Sequence, residues 1–188
     1  MDETVLRRVI TLAGGAAGRI HVTGGKHRLD RQLGGYNNAA RFSAWCVLRD
    51  LNGDAPCAAD LRSQLLPESS SLMRFRIAVH TIEAWVMADR ESIGSFLSIS
   101  QSAIPTLLDD LPNPKRVLVD LARRSRKRAI REGIVPTSGS GRRVGPDYTS
   151  LIIEYVESRW RPEVAAHSSE SLRRCIDKLR ELTEQIGA

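Results

Sequence analysis

The chain has 188 residues, 41% of them hydrophobic and only 5% aromatic, with a formal net charge of +6. That length makes one domain, or one with a helical extension, and its core must be filled by Leu, Ile, Val and Ala, which favours helices packed on a sheet over an aromatic stacking module. No apolar run reaches the roughly 20 residues of a membrane span, and Asp2, Glu3, Arg7 and Arg8 stand where a signal peptide would be apolar, so the sequence reads as cytoplasmic with no membrane partner.

Residues 4–12 (TVLRRVITL) carry apolar residues at helical spacing and stop at Gly14-Gly15. Residues 19–22 (RIHV) read as a short strand, and 29–40 as a helix interrupted by Gly34-Gly35 and the polar Tyr36, Asn37 and Asn38. The continuous apolar run 44–48 (AWCVL), with Asp50 at its end, has the pattern of a strand covered on both faces. A helix over 58–66 and a strand over 75–79 (FRIAV) follow, and the alternation implies an α/β domain with a mostly parallel sheet. Ile82, Trp85, Val86, Ile93, Phe96 and Leu97 form one helical apolar set, and a helix is predicted over 115–131 with Val117, Leu118, Leu121, Ala122 and Ala129 inward. The Gly/Ser/Pro-rich stretch 136–146 should be flexible, and two helices, 148–160 and 171–186, close the chain.

Cys46, Cys57 and Cys175 lack the close pairing of a zinc or redox motif and are expected to be reduced, and four scattered histidines are assigned no chemistry. The excess charge lies between residues 113 and 143, where Lys115, Arg116, Arg123, Arg124, Arg126, Lys127, Arg128, Arg131, Arg142 and Arg143 face only Asp120 and Glu132. This segment is +8 and the remainder −2, an asymmetry that points to a polyanionic partner; the alternative is a solvated helix face.

In open α/β sheets, sites gather beyond the carboxyl ends of the strands. The run Asp50-Leu51-Asn52-Gly53-Asp54 puts three oxygen-bearing side chains at alternate positions of a turn there, a set that suits Mg²⁺ or Mn²⁺ and phosphodiester chemistry beside a basic segment. Such turns are also ordinary turn chemistry. Glu83, in the first turn of the helix after the second strand, is a candidate fourth ligand on the same sheet edge, or a carboxylate complementing the helix dipole, with Asp89 further along that helix.

The runs VLRDLNGDAPCA (47–58), IEAWVMADRE (82–91), LPNPKRVLVDLARRSRKRAIREGIVP (111–136) and GSGRRVGPDY (139–148) resemble a TOPRIM-like bacterial family of unknown function, linked with ATPase partners and anti-phage defence. The resemblance covers most of the chain. It implies a TOPRIM-like α/β domain over residues 1–100 that lacks its first strand, and a helical, basic C-terminal region over 101–188. It also implies a catalytic and metal-binding set in which Asp50 binds Mg²⁺, Asn52 and Asp54 complete or orient its shell, and Glu83 supports it. By their charge, and independently of the resemblance, Lys115, Arg116, Arg123, Arg124, Lys127, Arg128, Arg131, Arg142 and Arg143 are expected to hold nucleic-acid phosphates.

Two departures stand out. Asn52 occupies the family's second Asp position, and the family's Glu after the first strand has no counterpart, which places that strand and Glu, as an expectation, upstream of Met1. The leading expectation is a TOPRIM-like, Mg²⁺-dependent nuclease or nuclease-derived protein in bacterial defence. The second is a non-catalytic module that binds nucleic acid or docks on an ATPase subunit, and the third a structural subunit whose basic face meets an acidic protein.

Overall fold

The computed structural model describes residues 1–187 as an α/β fold. Its sheet has two parallel strands, β1 (Trp45–Asp50) and β2 (Met73–Ala78), in a register that pairs Trp45 with Met73 and Asp50 with Ala78. The strands form here because each is covered on both faces. On one face Val47, Met73, Phe75 and Ile77 pack with Leu33 of α2 (Lys26–Ala39) and Leu61 of α3 (Ala58–Leu65), the crossover between the strands. On the other face Ala78, Cys46 and Leu48 meet a larger cluster that begins with Val5 and Val9 of α1 (Asp2–Leu12).

That larger cluster runs on through the rest of the chain: α4 (Ile82–Ala88), α5 (Arg90–Leu97), α6 (Pro114–Arg123), α7 (Arg128–Ile134), α8 (Tyr148–Ser158), α9 (Pro162–Ala165) and α10 (Glu170–Gly187). At its centre the Trp160 indole N–H donates to the Trp85 carbonyl at 3.3 Å, and the Trp85 indole N–H to Ser171 Oγ at 2.7 Å. The helices beyond residue 100 therefore share one core with α1 and α4. Among the described residues no helix is long and apolar enough to cross a membrane.

Three expected elements change. Residues 19–22 form no strand: they lie in a connection between α1 and α2 that makes no backbone hydrogen bond to β1, and their alternation offers apolar side chains to one side only. Gly34-Gly35 does not interrupt α2, because Leu29, Leu33 and Tyr36 bury one stripe of the helix against β1 and outweigh the cost of about 1 kcal/mol per glycine. The helix expected over 115–131 is two. Asn113 Oδ1 caps α6 by accepting from Arg116 N–H at 3.1 Å, with Pro114 at its first turn, and α6 ends at Arg123. Buried Ser125 then accepts from Lys127 N–H at 3.0 Å and turns the chain into α7.

The apolar set of residues 82–97 is likewise split, at Asp89. This fully buried carboxylate accepts from Arg161 through Nε at 2.8 Å, Nη2 at 2.7 Å and the backbone N–H at 3.1 Å, and from Ser92 N–H at 3.3 Å. Asp89 thus caps α5 and ties it to the chain entering α9. Asp89→Ala is expected to destabilise the protein by about 2–3 kcal/mol, read from the denaturant midpoint, because four donors lose a charged acceptor in a site where water replaces it poorly.

Candidate functional site

The two parallel strands end together, and their carboxyl ends carry the acidic residues. Asp50 closes β1, and Ile82 N–H, at the start of α4, donates to its Oδ1 at 3.0 Å. This bond brings the first turn of α4 against β1 and with it Glu83, which is 1% exposed. The Tyr148 hydroxyl donates to Glu83 Oε1 at 3.0 Å, and Lys115 Nζ lies 3.2 Å from the same oxygen and 5.8 Å from the Tyr148 ring centre. Burial, then the neighbouring charges of Glu83 and Asp2, push the Asp50 carboxyl up to about 7; the Ile82 N–H and Lys115 oppose the rise. Burial and Glu83 also hold the Tyr148 phenol protonated, so it serves as a donor.

The turn after β1 separates the rest of the expected set. Asn52 and Gly53 adopt positive φ (49° and 73°), and the exposed Asn52 side chain makes no hydrogen bond among the described residues. Asp54 turns the other way. Its Oδ1 accepts from Lys26 Nζ at 2.6 Å and its Oδ2 from Arg49 Nη1 at 2.6 Å, and these two partners, Lys26 first, hold its carboxyl below the usual range. Arg49 is itself buried and also binds Asp30 through Nε at 3.2 Å and Nη2 at 3.0 Å. Asp54 thus sits inside an ion-pair chain, Lys26–Asp54–Arg49–Asp30, that fixes the start of α2 to the end of β1, and is not a partner of Asp50.

The fold brings together Asp50 and Glu83 and adds Asp2, Lys115 and Tyr148. Asp2 carries no local signal in the sequence. Arg49 does, because an arginine inside a strand covered on both faces needs a carboxylate.

No family model, curated protein or solved structure gives a significant match to this chain. The likeness to TOPRIM proteins therefore rests on the four sequence runs alone, and the chemistry of the site must be argued from its own groups.

Mg²⁺ or Mn²⁺ fits this arrangement poorly. Among the described residues no group of three or more His, Cys, Asp or Glu side chains is placed to hold a metal ion. Glu83 Oε1 is engaged by Tyr148 and Lys115, Asp50 Oδ1 by the backbone, and Asp54 by two cations. The Lys115 ammonium stands as the cation of the acidic pair. Lys115→Ala is accordingly expected to bind Mn²⁺ about tenfold more tightly than the native chain, measured by water-proton relaxation, since it frees a carboxylate and removes a repelling charge.

The basic segment divides by partner. Arg116 and Arg123 pair with Asp120 (3.8 and 2.7 Å), and Arg128 pairs with Glu132 (2.8 Å). The Lys127 amine donates to the Phe96 carbonyl at 3.1 Å, and Arg131 Nη1 to the Ser125 carbonyl at 2.6 Å. Arg124, Arg126, Arg142 and Arg143 are exposed and have no carboxylate partner among the described residues. Arg142 and Arg143 ride on a stretch whose end is fixed: Gly145 N–H donates to the Ile134 carbonyl at 2.8 Å, and a Cβ at Gly145 would collide with the Gly133 backbone. This contact leads directly into Tyr148 of the acidic pair.

Proposed function

We propose that this chain is a nuclease-derived, non-catalytic nucleic-acid-binding module on a TOPRIM-like scaffold. One observation carries the reading: the basic segment supplies Lys115 to Glu83, and its end leads into Tyr148, which bonds the same oxygen. The acidic pair and the cationic stretch are therefore contiguous, as a phosphodiester-handling site requires, while a lysine stands where a metal would be needed for cleavage.

Arg124, Arg126, Arg142 and Arg143 supply phosphate contacts, which fix position on a nucleic acid without reading its sequence. The family resemblance adds the setting, bacterial anti-phage defence beside an ATPase subunit. Incubation with supercoiled and nicked plasmid in Mg²⁺ or Mn²⁺ tests the reading. The expected result is a retarded but uncut plasmid; cleavage that Asp50→Ala abolishes would overturn the non-catalytic assignment and favour an active nuclease.

A further inference from the structure

Proteins that hold single-stranded nucleic acid stack its bases on exposed aromatic rings as well as binding its phosphates. The basic stretch has no such ring: residues 113–143 contain no Phe, Tyr or Trp. Elsewhere Phe75, Trp85, Phe96, Tyr148, Tyr155 and Trp160 are buried. The remaining three, Tyr36, Phe42 and Trp45, lie at the amino end of β1, whose six residues put Trp45 about 17 Å from Asp50. A nucleic acid on the basic surface therefore meets groups suited to its backbone and none suited to its bases.

The exposed arginines without a carboxylate partner among the described residues form two pairs, one at each end of α7. Arg124 and Arg126 precede its amino end on either side of buried Ser125, whose carbonyl accepts from Arg131 Nη1 at 2.6 Å, and Arg126 N–H donates to the Ser98 carbonyl at 3.5 Å. Arg142 and Arg143 stand at its carboxyl end, because the loop that follows α7 closes on itself: Gly145 N–H donates to the Ile134 carbonyl at 2.8 Å and Asp147 N–H to the Gly133 carbonyl at 2.9 Å. A helix of seven residues is about 10 Å long, which sets the separation of the two pairs. Between them the exposed side of α7 carries Ala129 and the Arg128–Glu132 pair, whose charges cancel. Asp147, the carboxylate nearest in sequence to Arg143, lies against Gly133.

Two pairs of cations at this spacing match two rows of phosphates. The minor groove of B-form DNA, about 6 Å wide, runs between the phosphate rows of opposite strands, and the major groove is about twice as wide. A single strand could span both pairs only if held extended, and no ring is present there to hold its bases. On the reading of this chain as a nucleic-acid-binding module, we infer that its substrate class is duplex DNA, gripped across the minor groove with Arg124 and Arg126 on the phosphates of one strand and Arg142 and Arg143 on those of the other.

A duplex in which one strand has an uncharged methylphosphonate backbone tests this, by fluorescence anisotropy at about 0.1 M salt, with the native chain and the double variants R124Q/R126Q and R142Q/R143Q. The native chain is expected to bind the half-neutral duplex, and the charged strand alone, about thirtyfold more weakly than the all-phosphate duplex, since two of four contacts are lost. Each double variant should bind the all-phosphate duplex about thirtyfold more weakly than the native chain does, yet the half-neutral duplex within about threefold of it, because one charged strand serves only one pair. A further thirtyfold loss by the double variants on the half-neutral duplex would place all four arginines on one strand and overturn the inference, with the binding reading intact. So would a single strand bound as tightly as the duplex. Failure of the native chain to bind any of the three probes would instead overturn the binding reading itself, and the duplex assignment with it.

Discussion

Replacing Arg124, Arg126, Arg142 and Arg143 together by Gln is expected to lower affinity for duplex DNA about a thousandfold at roughly 0.1 M salt, because each cation that neutralises a phosphate releases condensed counterions. The slope of log K against log salt should flatten by about 3.6, or 0.9 for each of four contacts. These four arginines are chosen because no carboxylate among the described residues pairs with them. The matched variant with Arg116, Arg123 and Arg128 changed to Gln should lose less per charge removed, since Asp120, shared by the first two, and Glu132 already offset two of those three charges. Fluorescence anisotropy across a salt series measures both quantities. Equal losses per charge in the two variants would mean that local ion pairing does not decide which arginines reach the phosphates.

The second large effect concerns Asp50. Its carboxyl is pushed up to about 7 in the folded chain from an ordinary value of 3.8, chiefly by burial and then by Glu83 and Asp2. Between these values the folded state holds a proton that the unfolded state has lost, so stability declines as pH rises from about 4 to about 7. A shift of this size corresponds to about 4 kcal/mol. Asp50→Asn keeps an oxygen for the Ile82 N–H and removes the ionisation, so the variant should match the native chain near pH 4 and exceed it by about that amount at pH 8. Urea unfolding at a series of pH values tests this. Parallel profiles for the two proteins would show that Asp50 ionises at no cost in the fold.

Much of the framework was legible because its signals were local. Continuous apolar runs marked β1 and β2, and helical periodicity marked α1, α3, α8 and α10. What the periodicity could not carry was decided by single polar residues acting over long separations. Asp89 splits an apolar helical set because Arg161, 72 positions later, reaches it, and buried Ser125 splits the basic helix. The RIHV run failed as a strand for a different reason: its alternation has only one apolar side, and among the described residues it makes no backbone hydrogen bond to a neighbouring strand.

The site divides the same way. The position of Asp50 and of Glu83 near one sheet edge follows from where strands end and helices begin. Lys115 was read as a phosphate ligand from charge alone, and its contact with Glu83 depends on how α6 packs against α4. Asp54 was grouped with Asp50 by spacing, but Arg49 and Lys26 hold it elsewhere. Spacing in a turn cannot reveal which carboxylate a distant cation will claim.

The most direct test of the central claim, a contiguous phosphate-binding site in which Lys115 takes the place of a metal, is equilibrium binding to duplex DNA in EDTA and in Mg²⁺ at matched ionic strength. The account predicts binding with a steep salt dependence in EDTA, and binding in Mg²⁺ that is no tighter, because the divalent ion only competes for the phosphates. Binding that requires Mg²⁺, or an affinity that does not respond to salt, would contradict it.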